Sequence, residues 1–226
     1  MSVGSIKLVQ VGERLLRDND DAATRNRDRL ARAGVLTVNL MAAPGAGKTS
    51  LIVRTIETVG DRARIGVIEG DIAGSIDAAT VLRAGALDAV QINTGGNCHL
   101  EANMVDGALD DLDLAGMDIL VIENVGNLVC PTHWALGEHL RLCLVGAAEG
   151  HDKPIKYPPM FAGSDVIVLT KVDLIDAVGF DRDIFYDAVR ALNPRAPIFE
   201  VSSRTGAGFG EWSDWLLERL GRLRSA

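Results

Sequence analysis

Residues 42–49 read Ala-Ala-Pro-Gly-Ala-Gly-Lys-Thr, directly after the apolar run Val35-Leu-Thr-Val-Asn-Leu-Met41. A buried strand that empties into a loop of small residues and then a helix is the pattern of a phosphate-binding loop. Pro44, Gly45, Ala46 and Gly47 are small enough for backbone N–H groups to curl around phosphates. Lys48 supplies a positive charge to the outer phosphates. Thr49 offers a hydroxyl to Mg²⁺ and, with Ser50, opens a helix whose N-terminus favours anions. Ala42 departs from the usual G-x-x-x-x-G-K-[ST] pattern, in which glycine stands first.

Short apolar runs and amphipathic segments alternate along the rest of the chain. Strands are expected at 35–41, 64–69, 89–92, 119–123, 140–145, 166–170 and 197–201, and helices at 49–59, 75–85, 99–112, 180–192 and 210–224. This alternation predicts an α/β fold of the P-loop NTPase kind, a largely parallel sheet with helices on both faces. Residues 1–34 are polar-rich, with Ile6, Leu8, Val9, Val11, Leu15, Leu16 and Leu30 as their apolar positions. They read as an N-terminal helical extension, one helix or a pair, appended to a GTPase domain over 35–226. Glu149-Gly-His-Asp-Lys-Pro-Ile-Lys-Tyr-Pro-Pro159 reads as irregular.

The chain has 226 residues and a formal net charge of −8, with its cations scattered, so nucleic acid is not an expected partner. No segment is apolar for long enough to span a bilayer, and the N-terminus has no apolar signal core. Three cysteines do not make a disulfide scaffold, which points to the reducing cytoplasm.

Val166-Ile-Val-Leu-Thr-Lys-Val-Asp173 is a strand ending in [NT]-K-x-D, the guanine-reading pattern. The Asp173 carboxylate can accept from guanine N1–H and the exocyclic amine, a pair adenine does not offer. The Lys171 stem lies along the base, and Thr170 stands where asparagine is commoner. Ser203, in Val201-Ser-Ser-Arg-Thr-Gly-Ala-Gly208, is the expected residue of the loop that closes over the base. Mg²⁺ takes hard oxygens. Besides Thr49, the candidates are Asp71 and Glu123 at strand ends, with Asp77 a few residues on. Lys48, Asp71 and Glu123 form the expected catalytic set, since phosphoryl transfer is mostly positioning and charge neutralisation.

Cys98 and His99 are adjacent, and Cys130 lies in Glu123-Asn-Val-Gly-Asn-Leu-Val-Cys-Pro131. Both segments follow expected strands, so both should reach the sheet edge that carries the nucleotide. Two thiolates and an imidazole suit Zn²⁺ or Ni²⁺ and leave a coordination position open. Buried thiols beside a helix-capping histidine would give the same pattern. His133 is a possible fourth ligand. His139 and His151 read as ordinary surface residues, and Cys143 as core.

These segments together resemble the HypB family, GTPases that help insert nickel into [NiFe] hydrogenase. The resemblance runs nearly the full length. It is most specific in Glu69-Gly-Asp-Ile, Gln91-Ile-Asn-Thr-Gly-Gly-Asn-Cys-His-Leu100, Ile122-Glu-Asn-Val-Gly-Asn-Leu-Val-Cys-Pro131 and Glu149-Gly-His-Asp-Lys-Pro-Ile-Lys-Tyr-Pro158. It implies a GTPase binding GTP or GDP with Mg²⁺, a homodimer when GTP is bound, and a nickel or zinc site of Cys98, His99 and Cys130 at the dimer interface. It implies as partners a HypA-type nickel chaperone and the hydrogenase large-subunit precursor, with Lys156 reaching the triphosphate of the opposite subunit. Many relatives carry an N-terminal cysteine motif or a histidine-rich stretch, and this chain has neither residue type before Cys98. The competing readings are a nucleotide-gated metal adaptor with incidental hydrolysis, a urease-type nickel GTPase, and a small-molecule kinase.

Overall fold

The computed structural model describes residues 11–72 and 76–225, and for residues 11–14, 76 and 77 the backbone alone. Ile6, Leu8 and Val9 of the expected helical extension lie outside the described residues. So does the side chain of Asp77, whose backbone opens a helix.

Seven strands form one sheet in the order β3-β2-β4-β1-β5-β6-β7, and every pairing is parallel. They are β1 (Leu36–Ala42), β2 (Ile65–Asp71), β3 (Asp88–Asn93), β4 (Ile119–Glu123), β5 (Leu140–Gly146), β6 (Val166–Thr170) and β7 (Ile198–Glu200). Each expected strand is found within two residues of its position. The middle strands β1, β4 and β6 are buried at every residue. That is why they read as unbroken apolar runs rather than as alternations: helices cover both of their faces.

The helices are α1 (Val11–Ala33), α2 (Lys48–Val59), α3 (Ile76–Arg83), α4 (Ala102–Asp110), α5 (Lys153–Lys156), α6 (Pro158–Ala162), α7 (Ile175–Val178), α8 (Arg182–Leu192) and α9 (Phe209–Ser225). Leu51, Ile52, Val81, Trp212 and Leu216 fill one side of the sheet from α2, α3 and α9. On the other side, Leu30, Val105 and Leu109 pack from α1 and α4, and Phe161, Phe185 and Val189 from α6 and α8.

The described part of the N-terminal segment is one helix of 23 residues, one of the two forms expected. One expectation is corrected: the stretch expected to be irregular contains α5 and α6, each with proline in its first turn. Proline lacks only an N–H that a first turn leaves unused, so it starts a helix there instead of breaking one.

The strands that follow β1 in the chain fill the sheet first on its β4 side and then, from β5 on, on its other side, so the strand order reverses at β1. The crevice this reversal opens at the carboxyl ends of the strands is where open α/β sheets hold ligands. Ala42 is the last residue of β1, paired with Leu144. The only described non-glycine with positive φ is Lys171, so Ala42 sits in ordinary strand backbone and the missing first glycine costs the loop nothing.

Candidate functional site

The phosphate loop runs from the end of β1 to the start of α2. Gly47 takes φ 102°, a conformation open to glycine at no steric cost, and aims the first N–H groups of α2 into the crevice. Lys48 and Thr49 open the helix. The Thr49 hydroxyl lies 3.2 Å from each carboxylate oxygen of Glu123, and Lys48 Nζ is 3.6 Å from Glu123 Oε1. Glu123 is the last residue of β4 and buried. These groups line a cleft of ≈ 580 Å³ together with Glu69 and Asp71 from the end of β2. A hydroxyl and carboxylates meeting in one cleft form the hard-oxygen donor set that Mg²⁺ takes.

Across the loop, the strand end of β6 braces it. Thr170 Oγ1 donates to the Ala46 carbonyl at 2.6 Å, and Lys171 Nζ donates to the Gly45 carbonyl at 2.6 Å. Lys171 adopts φ 57°, which turns its side chain back over the loop. Thr170 thus ties this strand to the phosphate loop with a hydroxyl. Asp173 follows in a single helical turn, where Ser202 Oγ donates to its Oδ1 at 2.6 Å and the Arg204 guanidinium stands 3.7 Å from its Oδ2. Ser202 is fully buried. Ser203, the residue expected to close over the base, is half-buried and lines a neighbouring groove with Ser50, Arg54 and Arg204.

The loops leaving β3 and β4 carry the thiols. Cys98 Sγ and Cys130 Sγ are 2.9 Å apart, and Cys98 Sγ is 3.7 Å from His99 Nδ1. The three ligand atoms all lie within 4.8 Å of one another, the one such metal-ligand group among the described residues. Asn127 Nδ2 donates to Cys130 Sγ at 3.3 Å. The His99 ring stacks on Trp134, with centroids 4.6 Å apart and planes 25° from parallel. Burial draws the His99 imidazole below its ordinary pKa, with the Glu101 carboxylate opposing. The hydrogen bond shared with Cys98, then burial, raise the Cys130 thiol. An imidazole beside two thiols in a small, half-buried nest is a donor set that could hold a thiophilic divalent ion.

The sequence matches the CobW/HypB/UreG nucleotide-binding domain over residues 36–200. It is 44% identical to the hydrogenase maturation factor HypB of Azotobacter vinelandii over 97% of this chain and 72% of that one. With the HypB of Escherichia coli K12 it shares 41% over 93% and 72% of the two chains. The crystal structure of HypB from Archaeoglobus fulgidus superposes with a TM-score of 0.84 at 42% identity, covering 90% of this chain and 99% of that one. The chain belongs to the HypB family. A crystal structure of HypB from Helicobacter pylori in complex with nickel also matches, with a TM-score of 0.87 at 35% identity over 91% of this chain and 96% of that one.

Against the HypB pattern, some expected residues meet and others do not. Lys48, Thr49, Asp71, Glu123 and Lys171 share the cleft, and Asp71 Oδ1 accepts from Ile72 N–H at 2.6 Å. His133 is exposed, in the single turn Cys130–His133, and is not one of the three grouped ligands. Lys156 is at the end of α5, exposed and paired with Asp152 at 2.5 Å. Cys143 is fully buried in β5, where burial drives its thiol far above the usual range.

His139 and His151 are not ordinary surface groups. His139 Nδ1 accepts from the Thr37 backbone N–H at 3.1 Å, and its pKa is pulled down to about 4 by burial and then by Arg27, against Glu138. His151 Nδ1 accepts from the Asp181 backbone N–H at 3.2 Å, and its ring meets Phe180 edge-on. Neither short motif nor spacing marks them, because their partners are backbone groups distant in sequence.

Sequence reasoning also passed over Ser202, Trp134, Asn127 and the asparagines of α1. Asn19 Nδ2 donates to the Ala135 carbonyl, and Asn19 Oδ1 accepts from Ala102 N–H. Asn26 Nδ2 donates to the carbonyls of Ala102 and Leu136. One helix face therefore fastens the chain just after His99 and just after Cys130. Gly137 lets that face come close: a Cβ there would stand 2.6 Å from Asn26 Cβ and 2.7 Å from the Ala23 carbonyl.

Proposed function

We propose that this chain is a GTP-hydrolysing metallochaperone that carries nickel during [NiFe]-hydrogenase maturation, with Cys98, His99 and Cys130 holding the cargo ion. The observation that carries this reading is the meeting of those three ligand atoms within 4.8 Å on loops leaving β3 and β4, while the end of β4 also lines the phosphate cleft. The nickel-bound relative from Helicobacter pylori supports nickel, although zinc suits the same donors.

In this reading Thr49 and Glu123, with Asp71, hold Mg²⁺, which when bound neutralises charge on the transferred phosphoryl group. Lys48 lies against the outer phosphates. Asp71 orients the attacking water, which ends on inorganic phosphate as GDP is left. Pro44, Gly45, Ala46, Gly47 and Ser50 cradle the phosphates. Thr170 braces the loop, Lys171 covers the base, Asp173 reads guanine and Ser203 flanks it. Exposed Lys156 reaches the triphosphate of a second copy, so GTP draws two subunits together. The wider assignments follow the family: a cytoplasmic protein working with a HypA-type chaperone and the hydrogenase large-subunit precursor, with residues 1–34 as a helical extension of the domain over 35–226.

If GTP favours the dimer and the dimer holds metal differently, nucleotide and nickel must influence each other by one shared coupling energy. The test titrates Ni²⁺ into the apo, GDP and GTP-analogue forms while molecular mass is followed. Stoichiometric binding that disappears in the Cys98→Ala/Cys130→Ala double variant is expected. Undiminished binding in that variant would eliminate the site assignment. A variant that binds GTP without hydrolysing it, yet still supports hydrogenase maturation, would favour the adaptor reading.

A further inference from the structure

The end of β4 faces two ways. Glu123 turns to the phosphate side, against Thr49 and Lys48. The next residue, Asn124, is fully buried and turns to the metal side. Its Oδ1 accepts from the backbone N–H of Leu100 at 3.1 Å, one residue past His99, and from Val125 N–H at 2.9 Å. Because two backbone donors face the oxygen, the amide has one permitted orientation. Its Nδ2 donates to Asn39 Oδ1 at 3.2 Å, and Asn39 Nδ2 donates to Glu138 Oε1 at 3.4 Å. Glu138 in turn accepts from Arg141 Nε at 2.7 Å, and Arg141 donates to the carbonyl of Thr132 at 3.3 Å, two residues past Cys130.

A polar chain, buried from Leu100 to Glu138 and part-buried at Arg141, therefore begins beside one ligand segment and ends beside the other, and it is anchored at the strand end that carries Glu123. Such a chain tolerates little independent movement, since any link that opens leaves a buried group unsatisfied. Resting on the reading above, we propose that Asn124 is the positioning residue through which nucleotide occupancy reaches the cargo site. A change in what Thr49 and Lys48 contact moves Glu123, and Asn124 moves Leu100 and the Cys98–His99 segment with it.

The experiment measures Ni²⁺ affinity by isothermal titration with GDP and with a non-hydrolysable GTP analogue, in the wild-type chain, Asn124→Ala and Asn124→Asp. The wild-type affinities should differ by a factor of the order of 5–150, as coupled sites do. In Asn124→Ala that factor should fall close to one while Ni²⁺ and nucleotide each still bind. Asn124→Asp, which keeps the acceptor for Leu100 and Val125, should retain a larger factor than the alanine variant. An unchanged factor in Asn124→Ala overturns the inference and leaves the metallochaperone reading standing. A wild-type chain that binds no Ni²⁺ overturns both, whereas one that binds it equally in both nucleotide states overturns the inference alone. A measurement on the wild type alone guards against a variant that fails to fold. Without metal, amide exchange at Leu100 should differ between the two nucleotide states, and identical exchange there overturns the inference.

Discussion

Ser202 governs how Asp173 presents its carboxylate. With Oδ1 held by the Ser202 hydroxyl and Oδ2 facing Arg204, the group is oriented before any base arrives. Ser202→Ala removes one hydrogen bond to a charged acceptor, worth about 1.5–3 kcal/mol. GDP affinity measured by competition should therefore fall about tenfold or more, with ATP affinity unchanged. An equal fall for both nucleotides would refute a guanine-specific role. The sequence shows two serines side by side, and nothing in their types says which turns inward. That depends on the register with which the chain leaves β7, so the sequence does not single out Ser202 as the partner of Asp173. Thr170 was legible as a departure from asparagine, whereas its bond to the Ala46 carbonyl appears only in three dimensions. Lys48 was legible as the cation that opens the helix after the loop. Lys48→Ala should reduce GTP turnover by about 10²-fold or more, as loss of a preorganised charge-stabilising donor does. Phosphate release at the wild-type rate would show the loop misassigned.

Among the elements, α1 is the one whose role was least visible. Its sequence is polar-rich, yet Asn19 and Asn26 are buried and answer backbone groups at Ala102, Ala135 and Leu136. The two asparagines are seven residues apart, which places them on one helix face. Asparagine at such positions cannot be told from surface asparagine without knowing what lies opposite. Asn26→Ala would orphan two buried carbonyls, so unfolding in urea should show a loss of about 1–3 kcal/mol. A variant as stable as the wild type would mean water takes over both bonds. The strands, by contrast, were legible because burial on both faces demands continuous apolar runs. The thiol pair was legible as spacing, and its closeness follows from β3 and β4 both ending at one edge with only β2 between them.

At the scale of the molecule, Asp118 joins the C-terminal helix to the start of the sheet. It accepts from Arg224 at 2.6 Å, and from the Arg64 backbone N–H at 2.7 Å and side chain at 3.2 Å. Burial alone would raise this carboxyl, but those bonds outweigh it and hold the pKa down from 3.8 to about 2. The folded chain thus takes up this proton less readily than the unfolded one. The stabilisation is complete above the unfolded value, and it is lost as pH falls from about 4 towards 2. The stability gap between wild type and Asp118→Asn, followed by denaturant titration, should be flat near neutrality and narrow across that acid window. A gap that stays constant through the window would refute the assignment. The clasp also fixes where the two ends of the described chain emerge. Arg224 leaves from the edge where the strands begin, away from the phosphate loop. Residues 15–18, exposed ahead of Asn19, depart beside Ala135, next door to the tryptophan stacked on His99. A bulky label is therefore not a neutral choice: attached to the exposed residues 15–18 it crowds the stacked His99–Trp134 pair, whereas at Arg224 it stands at the far edge of the sheet.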